Sequence, residues 1–313
     1  MTPHLASAIT KAASKQTWYT IRFLADRARV DDAYRAYAYF RWVDDTLDAA
    51  IPTAQTQEDD RAMRLRFVAR QQGLVDACLR GEKPDIDSPH EKMLVELLRH
   101  ADTSDDRLDA YVRHMMLVMD FDARRRGRLI TGQELDDYTR WLAIAVAEAM
   151  HYFIGHDSAA PRDETRYLAV SGAHVVHMLR DTYADVQAGY FNVPREVLEA
   201  SSIGPNDVRC DAYRRWVRER VRLGRAYLDA GKGYFGRVGS RRHRLAGMAY
   251  ISRFEWLLDA LENDDFTVRP EYPPRRSVGT AVRMARCLIS SLALPAHPAH
   301  SSVALASRRD GRR

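Results

Sequence analysis

Four aspartates, arranged as two matching pairs, are the residues of this chain whose types and spacing most plainly suit chemistry. Asp44 and Asp48 lie four apart in YAYFRWVDDTLD, with Asp45 beside them and Arg41 one turn earlier. Asp181 and Asp185 repeat the spacing in HMLRDTYADVQAGYFNVP, where Arg180 and His177 are close by. On a helix, residues four apart share a face, so each pair projects its carboxylates in one direction. Like charges so placed repel unless a cation sits between them. One such pair is common on a solvated helix face; two of them, each in an apolar-aromatic setting with an arginine within a turn, form a more specific pattern. Mg2+ takes one or two carboxylates together with waters and phosphate oxygens. Carboxylates from two facing helices can therefore hold metal that grips a diphosphate, while Arg41 and Arg180 neutralise the remaining charge. The chemistry this suits is departure of diphosphate from an allylic carbon.

The elements that must position these groups all read as helices. Apolar periodicity predicts a helix from Leu5 to about Ala28, then one over Ala33–Ala49 capped by Asp31 and Asp32 and stopped at Ile51-Pro52. Further helices are expected over Arg61–Leu79, Glu91–His100 and from Ser104 to Asp122, the last carrying Met115, Met116 and Met119 as core or as the floor of an apolar cavity. Leu135–Phe153 is Ala-rich and apolar, as a central, closely packed helix would be, with Glu148 facing a cavity or a local hydrogen-bond network. Arg162–Ala188 carries the second acidic pair and ends at Gly189, a typical left-handed cap. After Pro194 come a short helix, a turn at Ser201–Asn206, and helices over Asp211–Tyr234 and Arg241–Leu261, with Gly231, Gly233, Gly236 and Gly239 read as a flexible connection. Val278–Leu294 is a last apolar segment. No alternating strand pattern and no internal repeat is visible apart from the acidic pairs. The expected architecture is all-α, a single-domain helical bundle around a central apolar cavity over residues 1–294, followed by a basic tail over 295–313 whose composition predicts disorder.

Composition narrows the function classes. With 46% hydrophobic and 29% charged residues the chain can bury a sizeable core. A net charge of +5 and an isoelectric point near 9.1 are mildly basic, but acidic residues interleave with the arginines and no nucleic-acid motif is present. Cys78, Cys210 and Cys287 are widely separated, which argues against disulfides or zinc and fits a reducing compartment. Neither a signal-peptide pattern nor a run of roughly 20 apolar residues appears, so the expectation is a cytoplasmic protein with at most peripheral membrane contact.

With these residues in view, the chain resembles the squalene/phytoene synthase family over about Ser14 to Arg269. Its early Ser-Lys-aromatic stretch is similar to SKQTWY at Ser14–Tyr19. The first signature is matched by Tyr37, Arg41, Asp44 and Asp48, and the second by Leu179, Arg180, Asp181, Asp185, Tyr190 and Pro194. The resemblance implies the isoprenoid-synthase fold, Mg2+ dependence, and allylic prenyl diphosphates (farnesyl, geranylgeranyl or shorter) as substrates. Two departures stand out. The Ala-Gly segment usual before the second signature is absent from YTRWLAIAVAEAM at Tyr138–Met150, and the usual Gln and Asn seven and four residues before Asp181 are His174 and His177.

The expected site therefore comprises Asp44, Asp48, Asp181 and Asp185 as catalytic carboxylates. Metal is expected on these four together with Asp45 and His177, and substrate on Tyr37, Arg41, His174, His177 and Arg180. His177 fits a metal or diphosphate contact and equally a core histidine; His151 and His156 read as structural or surface residues. The leading expectation is head-to-head coupling of two prenyl diphosphates. One alternative passes the same cation to a small aromatic acceptor, and another is a non-catalytic lipid- or partner-binding helical protein whose acidic pairs face solvent. A reductant such as NADPH is compatible with coupling, but no residue points to it.

Overall fold

The computed structural model describes residues 2–100 and 105–272, which form eleven α-helices and one 3-10 turn, with no strand among the described residues. The expected Val278–Leu294 segment, Cys287, the 295–313 tail and the Ser104 helix start lie outside them. No helix in the described part is long and apolar enough to cross a membrane. The expected all-α bundle is what forms, and the acidic pairs fall on α3 (Val30–Asp48) and α8 (Thr165–Ala188).

Local signals explain most boundaries. The expected first helix is in fact two, α1 (Thr2–Ala13) and α2 (Lys15–Leu24), because the Ser14 hydroxyl accepts from the Thr17 amide and starts a new helix. Asp31 and Asp32 lie within the first turn of α3, where they favour the positive end of the helix dipole, instead of capping it. Thr56 and Ser88 cap α4 (Gln57–Leu79) and α5 (Pro89–Arg99). Asp105 caps α6 (Asp106–Arg125), and Thr131 with Glu134 forms a reciprocal capping box at the start of α7 (Gly132–Phe153). Gly189 ends α8 at φ 85°, a left-handed conformation that costs glycine little.

Two apolar cores result. One gathers side chains of α1 to α7, including Tyr39, Leu94, Leu108 and Leu135; the other joins α8 to the short α9 (Arg195–Ser201), α10 (Asp211–Arg237) and α11 (Arg241–Asn263), around Val176, Leu179, Val217 and Leu258. Packing of α7 on α8 and of α11 on α2 joins the two halves. Glu148 belongs to a buried network: Arg166 Nε donates to it at 2.7 Å, a second guanidinium nitrogen also pairs with it, and the Tyr167 hydroxyl donates at 3.0 Å. His151 is likewise structural, with Nε2 2.7 Å from the Tyr234 hydroxyl, and His156 lies 3.2 Å from Asp105.

The glycine run is a correction. Gly231, Gly233 and Gly236 lie inside α10, and only Gly239 falls in the connection to α11. Gly231 is where α10 meets α8: a Cβ there would stand 2.6 Å from Ala169 Cβ and 2.8 Å from its Cα. Close helix contact thus overrides the low helix propensity of glycine. Gly231→Ala is expected to lower unfolding free energy by about 1–3 kcal/mol through forced separation of α8 and α10. Gly233→Ala, whose Cβ would meet nothing within 4 Å, is expected to be neutral or to stabilise by about 0.5–1 kcal/mol. Urea denaturation of both variants checks the contrast.

Candidate active site

A hollow of about 580 Å³ opens between the two halves of the bundle. Its walls are mostly apolar: Ile21 and Leu24 from α2, Phe40 from α3, Met115 and Met119 from α6, Leu142 and Val146 from α7, and Tyr250 from α11. Of the three methionines, Met115 and Met119 face the hollow and Met116 is core, as their spacing on one helix requires. Polar groups enter the lining at few points, among them Tyr37, Arg41, Asp44, Asp122, Tyr138, His177 and Arg253.

Asp44 and Asp122 enter the hollow from its polar side, and the charges of Asp48 and Asp185 act on them from nearby. Asp44 lines it, half-buried, and its carboxyl is pushed up to about 6 by burial and by the charge of Asp48, against the opposing pull of Arg41. Asp185 is pushed up to about 7 by burial and by Asp181, against Arg125 and the amide of Asn192. Asp122 is raised by burial and also feels Asp48. Hydrogen bonds tie the set together across the gap. The Tyr190 hydroxyl donates to Asp48 at 3.4 Å, and Asn192 Nδ2 donates to Asp185 at 2.7 Å. Arg125 donates to both Asn192 Oδ1 and Asp122, each at 2.7 Å, and Tyr138 donates to Asp122 at 3.0 Å.

Of the expected residues, Tyr37, Arg41, Asp44 and His177 line this hollow, Arg180 and Asp181 line a cavity beside it, and Asp45, Asp48, His174 and Asp185 line neither. Asp45 is exposed, as is Asp48, and pairs with Arg41. Arg180 lies along its own neighbour, Asp181, with two hydrogen bonds of 2.7 and 2.6 Å. His174 lines no cavity: it is buried with its ring edge-on to Tyr138, 4.9 Å between centroids, and burial holds it well below the usual histidine range. His174 thus sits behind Tyr138 at the packing of α8 on α7, instead of at the expected substrate contact. Among the described residues no three His, Cys, Asp or Glu side chains close into a ready-made metal cluster. Arg41 instead pairs with Asp44 and Asp45, Arg125 with Asp122, and Arg180 with Asp181.

Asp122, Arg125, Tyr138 and Asn192 are site residues that no acidic pair announced. A signal was present: Met115, Met119 and Asp122 fall on one face of α6 at helical spacing, so the stripe that floors the hollow ends in a carboxylate.

A second cavity of about 480 Å³ adjoins the first. Arg180, Asp181, Phe254, Trp256 and Tyr272 line it, and His177 and Arg253 line both. The His177 ring packs edge-on against Phe254 at 4.8 Å, and its basicity is lowered to about 4 by burial and by Arg180, with Asp181 opposing. At neutral pH it is therefore an uncharged imidazole.

The model of the family described as squalene/phytoene synthase matches residues 10–281. A squalene synthase, HpnC from Alicyclobacillus acidocaldarius, superposes with a TM-score of 0.63 at 17% identity, over 86% of this chain and 95% of that one. A dehydrosqualene synthase in complex with ligand superposes with a TM-score of 0.68 at 14% identity, over 93% and 96% of the two chains. No curated protein sequence gives a match. The likeness in structure establishes a common isoprenoid-synthase-type helical fold. By the extent of the family match, the chain belongs to the squalene/phytoene synthase family of prenyltransferases.

Proposed function

We propose that the protein is a Mg2+-dependent prenyltransferase that ionises an allylic prenyl diphosphate and couples it head to head with a second one. The observation that supports this reading is the linkage of the α3 and α8 acidic residues through Asp122, Arg125, Tyr190 and Asn192 beside an apolar hollow. The donor set fits a hard divalent cation, being oxygen-rich and anionic. The carboxyls of Asp44 and Asp185 are raised by burial and by neighbouring carboxylates, a repulsion that a bound cation would relieve. Asp44, Asp48, Asp181 and Asp185 would hold the metal, with Asp45 and the neutral His177 at its margin. Bound there, Mg2+ would stabilise charge on the departing diphosphate.

The remaining work falls to the chain's own side chains. Arg41 and Arg180 present guanidinium forks to the diphosphate oxygens. Tyr37 and Phe40 carry the allylic end from the carboxylates into the hollow, where Met115, Met119 and Leu142 keep water from the cation. The aromatic rings of Tyr37, Phe40 and Tyr250 offer negative faces to a positive carbon. The reaction is placed in the cytoplasm, with at most surface contact to a membrane. A second reading, transfer to a small aromatic acceptor, is favoured by one observation: the adjoining cavity walled by Phe254, Trp256 and Tyr272. Incubation with farnesyl or geranylgeranyl diphosphate and Mg2+, with and without NADPH, followed by product mass, tests the assignment. A C30 or C40 hydrocarbon or its cyclopropyl diphosphate precursor supports coupling. Unchanged substrate overturns it.

Asp44→Asn and Asp181→Asn are each expected to lower turnover by about a hundredfold or more while far-ultraviolet circular dichroism stays native. Near-normal turnover in either removes that residue from the metal set. The raised carboxyls also set a pH dependence. A carboxyl whose pKa is higher in the folded chain than in the unfolded one binds its proton more tightly when folded. Its contribution to stability is therefore full below the unfolded pKa near 3.8 and is lost as pH rises through about 6 for Asp44 and about 7 for Asp185. Metal-free protein should accordingly lose melting temperature between pH 4 and 7 at these sites. Mg2+ with pyrophosphate should raise it more at pH 8 than at pH 6, because the cation must displace those protons. In Asp44→Asn the rise should shrink.

A further inference from the structure

Helix α2 separates the main hollow from solvent. Its inner face, with Gln16, Thr17, Thr20, Ile21 and Leu24, lines the hollow. At 3.6 residues per turn, Lys15, Tyr19, Arg22 and Phe23 fall together on the opposite face. Tyr19 is 52% and Phe23 68% exposed, more than any other large apolar side chain described, and their rings stack 6.1 Å apart. Single exposed apolar residues are ordinary on a protein surface; two stacked rings between cations are a more specific arrangement.

The charge is equally one-sided. Residues 1–25 contain no Asp or Glu, whereas Lys11, Lys15 and Arg22 are exposed. Among the described residues none of these three cations forms an ion pair, while exposed arginines elsewhere, such as Arg113, Arg124 and Arg237, rest on carboxylates. Asp26, the first acid along the chain, is held by Arg242. Lys11 lies 5.0 Å over the ring of Trp18, one turn along α2 from Arg22, and so extends the basic edge onto α1.

We propose that this face of α2 docks the protein on an anionic bilayer surface, with Tyr19 and Phe23 inserted at headgroup depth and Lys11, Lys15 and Arg22 on the lipid phosphates. Aromatic side chains settle at the boundary between headgroups and acyl chains, and Lys and Arg beside them gain from the negative surface potential. The rings supply the apolar contact and the cations supply the charge complementarity, which an uncharged lipid surface would not use. Docked so, the wall of the hollow formed by α2 lies against lipid, the phase in which a prenyl tail or a hydrocarbon product dissolves. Only that last consequence rests on the reaction proposed above; the docking itself does not.

Sedimentation of the full chain with vesicles of mixed phosphatidylglycerol and phosphatidylcholine tests this. Wild type should bind them, should bind phosphatidylcholine alone at least about tenfold more weakly, and should be released as salt rises. Tyr19→Ser combined with Phe23→Ser should weaken binding at least about tenfold, and Lys15→Gln or Arg22→Gln about fivefold each. Leu117→Ser, at an exposed apolar residue of α6, should bind as wild type does. Equal melting temperatures for these proteins separate loss of binding from loss of fold. Amide hydrogen exchange over residues 15–24 should slow on the anionic vesicles. No binding to the anionic vesicles overturns the docking face. Binding that survives the double substitution and leaves exchange in α2 unchanged overturns it too, since the basic stretch over 295–313 or another surface would then be the contact. Docking without any coupled product leaves the face standing and overturns the coupling reaction instead.

Discussion

Repulsion between carboxylates at the edge of an apolar hollow is the constraint around which this protein is arranged. Asp44 and Asp185 are raised by burial and then by the neighbouring charges of Asp48 and Asp181, and Asp122 is raised by burial with the charge of Asp48 adding to it. Nothing in the packing of the apolar cores requires this. The acidic helices α3 and α8 belong to different halves of the bundle and meet through polar links, chiefly Tyr190 to Asp48 and Asn192 to Asp185. Arg125 sits at the centre of those links, buried under the rings of Tyr138 and Tyr190 and bonded to Asp122 and Asn192. Its fixed charge offsets part of the repulsion, and the proposed cation and diphosphate would offset the rest.

The hollow supplies the opposite environment within a few side chains of the rim. A departing diphosphate needs counter-charge, while the carbocation it leaves behind needs exclusion of water, and one uniform pocket cannot offer both. Here the division follows the helices. The last turns of α3, α6 and α8 supply charge, whereas α2, the middle of α6, α7 and α11 supply aliphatic and aromatic surface. Met115 and Met119 suit such a wall because an unbranched thioether adapts to irregular shapes. The arginines divide in the same way: Arg41 and Arg180 are held by carboxylates, and Arg253, which lines both cavities, has none paired to it among the described residues.

Much of this was legible in the linear chain because helices impose local rules. Spacing of four fixes a shared face whatever the helix packs against, so the acidic pairs, their arginines and the all-α architecture followed from pattern, and the resemblance to known signatures named the family. Where local rules competed with packing, the reading strayed. Ser14 split one expected helix into two, and the glycines at 231, 233 and 236 lie within α10, where Gly231 lets α8 approach at Ala169.

The sequence by itself determined the helices, the two acidic pairs and the chemistry they suit, since these depend on residues within a turn or two of each other. Tertiary structure alone decided which groups join them. Asp122, Tyr138 and Asn192 enter the site from separate segments, His174 turns behind Tyr138 while His177 reaches two cavities, and Arg253 arrives from α11 with no carboxylate paired to it among the described residues. Those outcomes rest on rotations of whole helices about one another, and no spacing along the chain encodes them.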